Sequence, residues 1–258
     1  MGINPLEVDE GRRGRGEKME YDITILEKGC DDLGICLTEK QKEQFVRYYE
    51  LLEERNRYVN LTSITEFDEV LKKHFVDSLA IVKALDIKAV STMIDIGTGG
   101  GFPGLPLKIA FPHLQVCLLD SLHKRIAFLE ETTAELGLSG IKAIHGRAEI
   151  FARDKEHREV YDLCVSRAVA NLASLSEYCL PYVKTGGSFV SYKSGKIQEE
   201  LQNAAKAINI LGGKVENTVY FNIPDTDMER SLVVIDKVKQ TPKKYPRKAG
   251  TPTKEPIA

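Results

Sequence analysis

No stretch of this sequence approaches the ~18 consecutive apolar residues of a membrane span. The N-terminus opens on polar and charged residues, not on the apolar core of a secretory signal. Charge of one sign is not in excess either: 36 Lys and Arg face 38 Asp and Glu, for a net −2, so the bulk composition is that of an ordinary soluble protein. The five cysteines (Cys30, Cys36, Cys117, Cys164, Cys179) are odd in number and form no CxxC pair. That pattern argues against a disulfide framework and against a metal site. It fits small buried hydrophobes in a reducing cytosol, with Cys117 and Cys164 falling in expected core strands. A cytoplasmic protein with no membrane and no metal partner is expected.

With 258 residues the chain can hold one large α/β domain, or a domain with a small appendage. Residues 1–18 include Gly11-Arg12-Arg13-Gly14-Arg15-Gly16, without periodicity or an apolar face, and read as a disordered or appended leader ahead of Met19. Residues 19–88 read as an N-terminal helical cap. Ile23, Leu26, Cys30 and Leu33 are helically spaced, and Thr38 with Gln41 forms a capping-box pattern. The stripe Phe45, Tyr48, Tyr49, Leu52 follows, and a third helix is expected over about 66–85.

From 89 to 240 the pattern alternates. Strands are expected at 92–96, 115–120, 141–145, 161–166 and 187–192, and helices at 103–110, 122–136, about 148–153, 173–183 and 196–211. Most of the strands are continuous apolar runs, as in parallel strands covered on both faces. Two last strands, 214–221 and 231–238, are joined by a loop too short for a crossover helix and so make an antiparallel hairpin. Residues 241–258, rich in Pro, Lys and Thr, read as a basic tail held extended by its prolines.

The densest signal is Met93-Ile94-Asp95-Ile96-Gly97-Thr98-Gly99-Gly100-Gly101-Phe102-Pro103-Gly104. A strand, a glycine loop and a helix opened by Pro103 present backbone N–H groups to a nucleotide-like ligand. Two cofactors compete for it. Read from Gly99, the frame Gly99-x-Gly101-x-x-Gly104 fits a dinucleotide fingerprint. Read from Asp95, Asp-x-Gly-x-Gly-x-Gly resembles the first motif of class I S-adenosylmethionine (SAM) methyltransferases. Asp120 serves either, because both ligands carry an adenosine ribose. Five parallel strands finished by an antiparallel pair tip the balance to SAM. A NAD-dependent oxidoreductase and a non-catalytic RNA-binding protein stand as the alternatives.

Ligands in such a sheet sit outside the carboxyl ends of the strands. The first strand end offers Gly97, Gly99 and Phe102, the second Asp120, the third Ala148 and Glu149, and the fourth Arg167. That fourth end carries neither the Asn- or Asp-Pro-Pro-aromatic motif of exocyclic-amine methylation nor the cysteine nucleophile of cytosine C5 methylation. A ring nitrogen such as guanine N7 has its lone pair already and needs alignment, not a base. No catalytic acid or base is therefore expected, and Arg167 serves to position.

Several blocks, namely Asn60-Leu61-Thr62, His74 to Leu79, Asp95 to Pro106, Leu119-Asp120-Ser121, Lys124-Arg125, Arg147-Ala148-Glu149, Ser166-Arg167-Ala168 and Thr241 to Lys248, resemble the bacterial small-subunit ribosomal RNA guanine-N7 methyltransferase family, also known as glucose-inhibited division protein B. The resemblance covers roughly residues 38–257. It implies a Rossmann-like class I fold, SAM as donor, and guanosine 527 in the 530 loop of 16S ribosomal RNA, free or in the 30S subunit, as target. It also implies SAM contacts at Gly97, Phe102, Ala148, Glu149 and Arg167. One departure is Gly100, where many members carry a bulkier residue; the loop should be the more flexible for it.

His74 and Asp77 stand one helical turn apart; with no proton to remove they read as closing the helical cap over the site, with RNA contact as the alternative. Lys243, Lys244, Arg247 and Lys248, with Lys237 and Lys239 upstream, form a local electrostatic footprint for phosphate, and Arg125 and Lys193 are candidate neighbours on the same side of the sheet.

Overall fold

The computed structural model describes residues 21–167, 169–224 and 226–257; the leader read at 1–18 lies outside the described residues, as does Met19. The helical cap starts with α1 (Thr24–Asp32) and α2 (Glu39–Val59). The capping box forms as expected: Thr38 Oγ1 accepts from the Gln41 N–H, and Gln41 Oε1 accepts from the Thr38 N–H at 2.8 Å. Asn60 ends α2 in the left-handed conformation, at φ 51°, which asparagine tolerates better than most residues.

The expected single helix over 66–85 is a continuous helical run of changing pitch. It passes through α3 (Phe67–Val70), a π-helical segment (Leu71–Val76), α4 (Asp77–Leu79) and a 3₁₀ turn (Ala80–Lys83). Such π segments gather at functional sites because the wider turn re-aims side chains. This one carries His74.

The rest alternates: β1 (Thr92–Ile96), α5 (Gly104–Ala110), β2 (Gln115–Asp120), α6 (His123–Glu135), β3 (Ile141–His145), α7 (Ala148–Phe151), β4 (Tyr161–Arg167), α8 (Leu172–Cys179), β5 (Val183–Ser194), α9 (Gln198–Ile210), β6 (Gly213–Asn222) and β7 (Glu229–Lys237). The sheet order is β3-β2-β1-β4-β5-β7-β6, with β1 to β5 parallel and β7 antiparallel to both its neighbours. The hairpin forms, but its second strand slots against β5 and its first becomes the edge. Pro103 precedes α5 as its N-cap residue instead of opening its first turn, and the last turn expected of the helix at 173–183 is 3₁₀, Leu180–Tyr182.

Alternate residues of each central strand feed two cores, one per face. Met93, Leu118, Val165 and Val190 pack with Phe45, Tyr48, Phe75 and Leu105 under the cap. Ile94, Leu119, Cys164 and Phe189 pack with Leu175, Tyr182 and Ile208 on the other side. Burial of both faces explains the unbroken apolar runs. Cys30, Cys117, Cys164 and Cys179 are buried thiols, while Cys36 is exposed.

The C-terminal segment departs from the extended basic tail. It folds back on α8 and finishes in a helical turn, α10 (Thr251–Lys254). Lys237, read as part of the basic run, is fully buried: its ammonium donates to the carbonyls of Leu180 and Val183 and to Thr241 Oγ1, and pairs with Glu159 at 2.9 Å. Arg247, expected on phosphate, instead makes a two-pronged ion pair with Glu177, whose side chain is wholly buried. A buried carboxylate needs such a partner, and it outcompetes a solvent-facing role.

Candidate functional site

The glycine loop is held from three directions. Asp95, fully buried on β1, accepts from Thr98 Oγ1 at 2.7 Å and from the Gly104 N–H at 2.8 Å. Burial pushes its carboxyl up to about 7. Asp120, at the end of β2, accepts from the Gly99 N–H at 2.9 Å, the Leu122 N–H at 2.9 Å and Arg125 Nη1 at 3.2 Å. From the cap, Tyr48 donates its hydroxyl to the Gly100 carbonyl at 2.5 Å. Gly99 sits at φ +61°, and a Cβ built there meets no protein atom within 4 Å. The space beside it is open.

Two cavities open beside this loop and share Gly97. The smaller, about 200 Å³, lies among Asp120, Ser121, Gly146, Ala148, Glu149 and Val169. Tyr178 of α8 and Thr253 of α10 complete its lining. It sits outside the carboxyl ends of β1 to β4, where a nucleoside belongs in such a sheet. The larger, about 730 Å³, runs between the cap and the ends of β4, β5 and β7. Its cations are Lys73, Arg125, Arg167, Lys193 and Arg230, against the acids Asp77 and Glu200.

Arg167 lines the larger cavity. Its Nη1 donates to Asp77 Oδ2 at 2.8 Å and to the Lys73 carbonyl at 3.2 Å, and its Nη2 stands 3.1 Å from His74 Nδ1. The guanidinium lies 5.0 Å from the centre of the Phe102 ring, and His74 stacks on the same ring at 4.3 Å. Nδ1 of His74 stands 3.1 Å from the Lys73 carbonyl as well, and Nε2 shares a hydrogen bond with Thr62 Oγ1 at 2.7 Å. Burial, with Arg167 beside it, pushes the His74 imidazole down to about 3. Arg230 Nε stands 3.4 Å from the other oxygen of Asp77. Thr62 itself is fixed by Asn56, whose Oδ1 accepts from the N–H groups of Leu61 and Thr62 at 2.6 and 2.9 Å.

The structure thus brings Gly97, Gly99, Phe102, Arg125, Arg167 and Lys193 to the larger cavity, and Gly97, Asp120, Ala148 and Glu149 to the smaller. Lys193 is committed: its ammonium donates to the Ala170 carbonyl at 2.7 Å and pairs with Glu200 at 2.6 Å, clasping the chain that follows Arg167. Lys243, Lys244 and Lys248 are exposed and line neither cavity. The residue reading missed Thr62, Lys73, Arg230, Tyr178 and Thr253, which lie far from the glycine loop in sequence. Tyr48 looked like one more core aromatic.

A family model described as rRNA small subunit methyltransferase G matches residues 41–233. The chain is 56% identical over 230 residues to the ribosomal RNA small subunit methyltransferase G of Lachnoclostridium phytofermentans, covering 89% of this chain and 95% of that one. It is 51% identical over 233 residues to the protein of that name from Alkaliphilus metalliredigens, covering 90% and 98%. Among solved structures, a SAM dependent methyltransferase from Aquifex aeolicus aligns with a TM-score of 0.48 at 16% identity, over 65% of this chain and 92% of that one.

Proposed function

This chain belongs to the rRNA small subunit methyltransferase G family, and from that premise we propose that it transfers the methyl group of SAM to N7 of a guanosine in small-subunit ribosomal RNA. By the sequence resemblance that guanosine is number 527 of 16S RNA, in free RNA or in the 30S subunit, and the reaction takes place in the cytoplasm. The residues fit the cofactor. The open space at Gly99 suits close approach of the methionine part. Asp120, Ala148 and Glu149 around the smaller cavity offer acceptors and backbone groups to the adenosine. When bound, SAM supplies an electrophilic methyl on a sulfonium.

One observation carries the choice of atom. The groups facing the larger cavity that could act as a base are engaged: the His74 ring is held between Arg167, the Lys73 carbonyl and Thr62, Asp77 faces Arg167 and Arg230, and Glu200 pairs with Lys193. Among the described residues of this wall, an acceptor that must lose a proton meets carboxylates already ion-paired and a histidine already hydrogen-bonded. Guanine N7 needs no base, because its lone pair lies in the ring plane. The work left to the protein is alignment. The remaining donors of the Arg167 fork suit hydrogen bonding to the target nucleotide, and Lys73, Arg125 and Arg230, paired with Glu69, Asp120 and Asp77 but more exposed than Lys193, suit its phosphates.

Mass spectrometric mapping of RNA after incubation of 30S subunits with protein and SAM tests this. The expected product is a single N7-methylguanosine in the 530 loop. Recovery of 5-methylcytidine or N6-methyladenosine instead would overturn the mechanism.

A further inference from the structure

The C-terminal segment reaches the smaller cavity as well as packing on the sheet. The Gly250 N–H donates to Glu149 Oε1 at 2.7 Å, across 101 positions of sequence. Arg147 Nη2 donates to the same oxygen at 3.3 Å, while Oε2 has no hydrogen bond among the described residues. Three residues on, α10 carries Thr253 into the cavity lining, where its hydroxyl shares a hydrogen bond with Tyr178 at 2.5 Å. Ser174 Oγ donates to the Pro252 carbonyl at 2.7 Å and fixes the turn to α8. Anchoring lies upstream and is independent of the turn: Arg247 on Glu177, and the buried ring of Tyr245.

We propose that the turn Gly250–Lys254 is a working wall of the adenosine pocket, orienting Glu149 through the Gly250 N–H and closing the cavity with Thr253. This rests on the assignment of the smaller cavity to the adenosine end of SAM. The turn acts through its position: it leaves Glu149 one oxygen free for the ligand and excludes water from that side. Coupling of this kind is reciprocal. If the docked turn supports the cofactor, the cofactor holds the turn down.

The test uses S-adenosylhomocysteine as probe, with 5′-methylthioadenosine to report on the adenosine end alone. In the full chain, tryptic cleavage after Lys248 and Lys254, followed by mass, is expected to slow several-fold when S-adenosylhomocysteine is bound. A chain ending at Lys248 keeps Tyr245 and the Arg247–Glu177 pair. It is expected to melt within a few degrees of the full chain and to bind both ligands about tenfold more weakly by calorimetry, the scale of one good hydrogen bond. Thr253→Ala in the full chain gives the same direction at smaller size and serves should the shortened chain prove unstable. Equal affinities for the full and shortened chains, or tail cleavage unmoved by bound S-adenosylhomocysteine, would overturn the proposal. Failure of the full chain itself to bind S-adenosylhomocysteine would overturn the cofactor assignment, and this inference with it.

Discussion

Arg167 Nη1 donates to Asp77 Oδ2 at 2.8 Å across 90 positions of sequence, and so joins the end of β4 to the helical cap. Asp77 is almost wholly buried and faces Arg230 as well. The cap therefore forms part of the larger cavity's wall together with the end of β4.

Arg167→Lys keeps the charge but loses the planar fork that serves Asp77, Lys73 and His74 together. Methyl transfer to 30S subunits is expected to fall by about a hundredfold or more, a loss near 2.7 kcal/mol, in a protein that still folds by circular dichroism. A near-normal rate would show that a point charge suffices.

Tyr48→Phe removes one hydroxyl and leaves the Gly100 carbonyl without its buried donor. The cost is expected at about 1–2 kcal/mol in urea unfolding, with weaker binding of S-adenosylhomocysteine because the glycine loop loses its anchor on the cap. Unchanged affinity would assign the hydroxyl to stability alone.

Asp120→Ala frees the Gly99 N–H, the Leu122 N–H and Arg125 at once. Each charge-assisted bond contributes about 1.5–3 kcal/mol, so cofactor affinity is expected to drop at least tenfold. A folded variant with full affinity would remove Asp120 from the pocket.

Two buried groups tilt the pH dependence of stability in opposite senses. His74 is held down to about 3 from an ordinary 6.5, so its contribution is complete above pH 6.5 and is lost as pH falls towards 3. Asp95 is pushed up to about 7 from 3.8, so its contribution is complete below pH 3.8 and is lost as pH rises towards 7. Between about pH 4 and 6.5 the two offset each other. Relative to the parent, the stability of His74→Gln, and with it Tm, should fall as pH rises through that window, and that of Asp95→Asn should rise, each stability slope being at most about 1.4 kcal/mol per pH unit. Parallel Tm profiles for all three proteins would show that neither group titrates as described.

The tail divides by role. Arg247→Ala strands the buried Glu177 carboxylate and is expected to cost about 3–5 kcal/mol. Replacing the exposed Lys243, Lys244 and Lys248 with Ala should leave stability within about 0.5 kcal/mol while flattening the salt dependence of RNA binding, because fewer counterions are released. An unchanged salt slope would make these lysines a solvated surface.

What the chain determined locally was legible in one dimension. The capping box at Thr38 and Gln41, the apolar runs of β1, β2 and β4, the glycine loop after Asp95 and the acid at Asp120 each depend on neighbours a few residues away, and periodicity or spacing records them. The partners of those residues were not legible. Nothing adjacent to Tyr48 names Gly100, and nothing in a Pro- and Lys-rich tail says that Arg247 neutralises Glu177 or that Thr253 reaches the smaller cavity. The π segment that aims His74 at Arg167 leaves the apolar stripe almost intact, so a helical period describes it adequately in sequence. Buried charges and hydrogen bonds are satisfied by whichever group the packed fold brings within about 3 Å. That choice is made only when sheet, cap and tail close on one another.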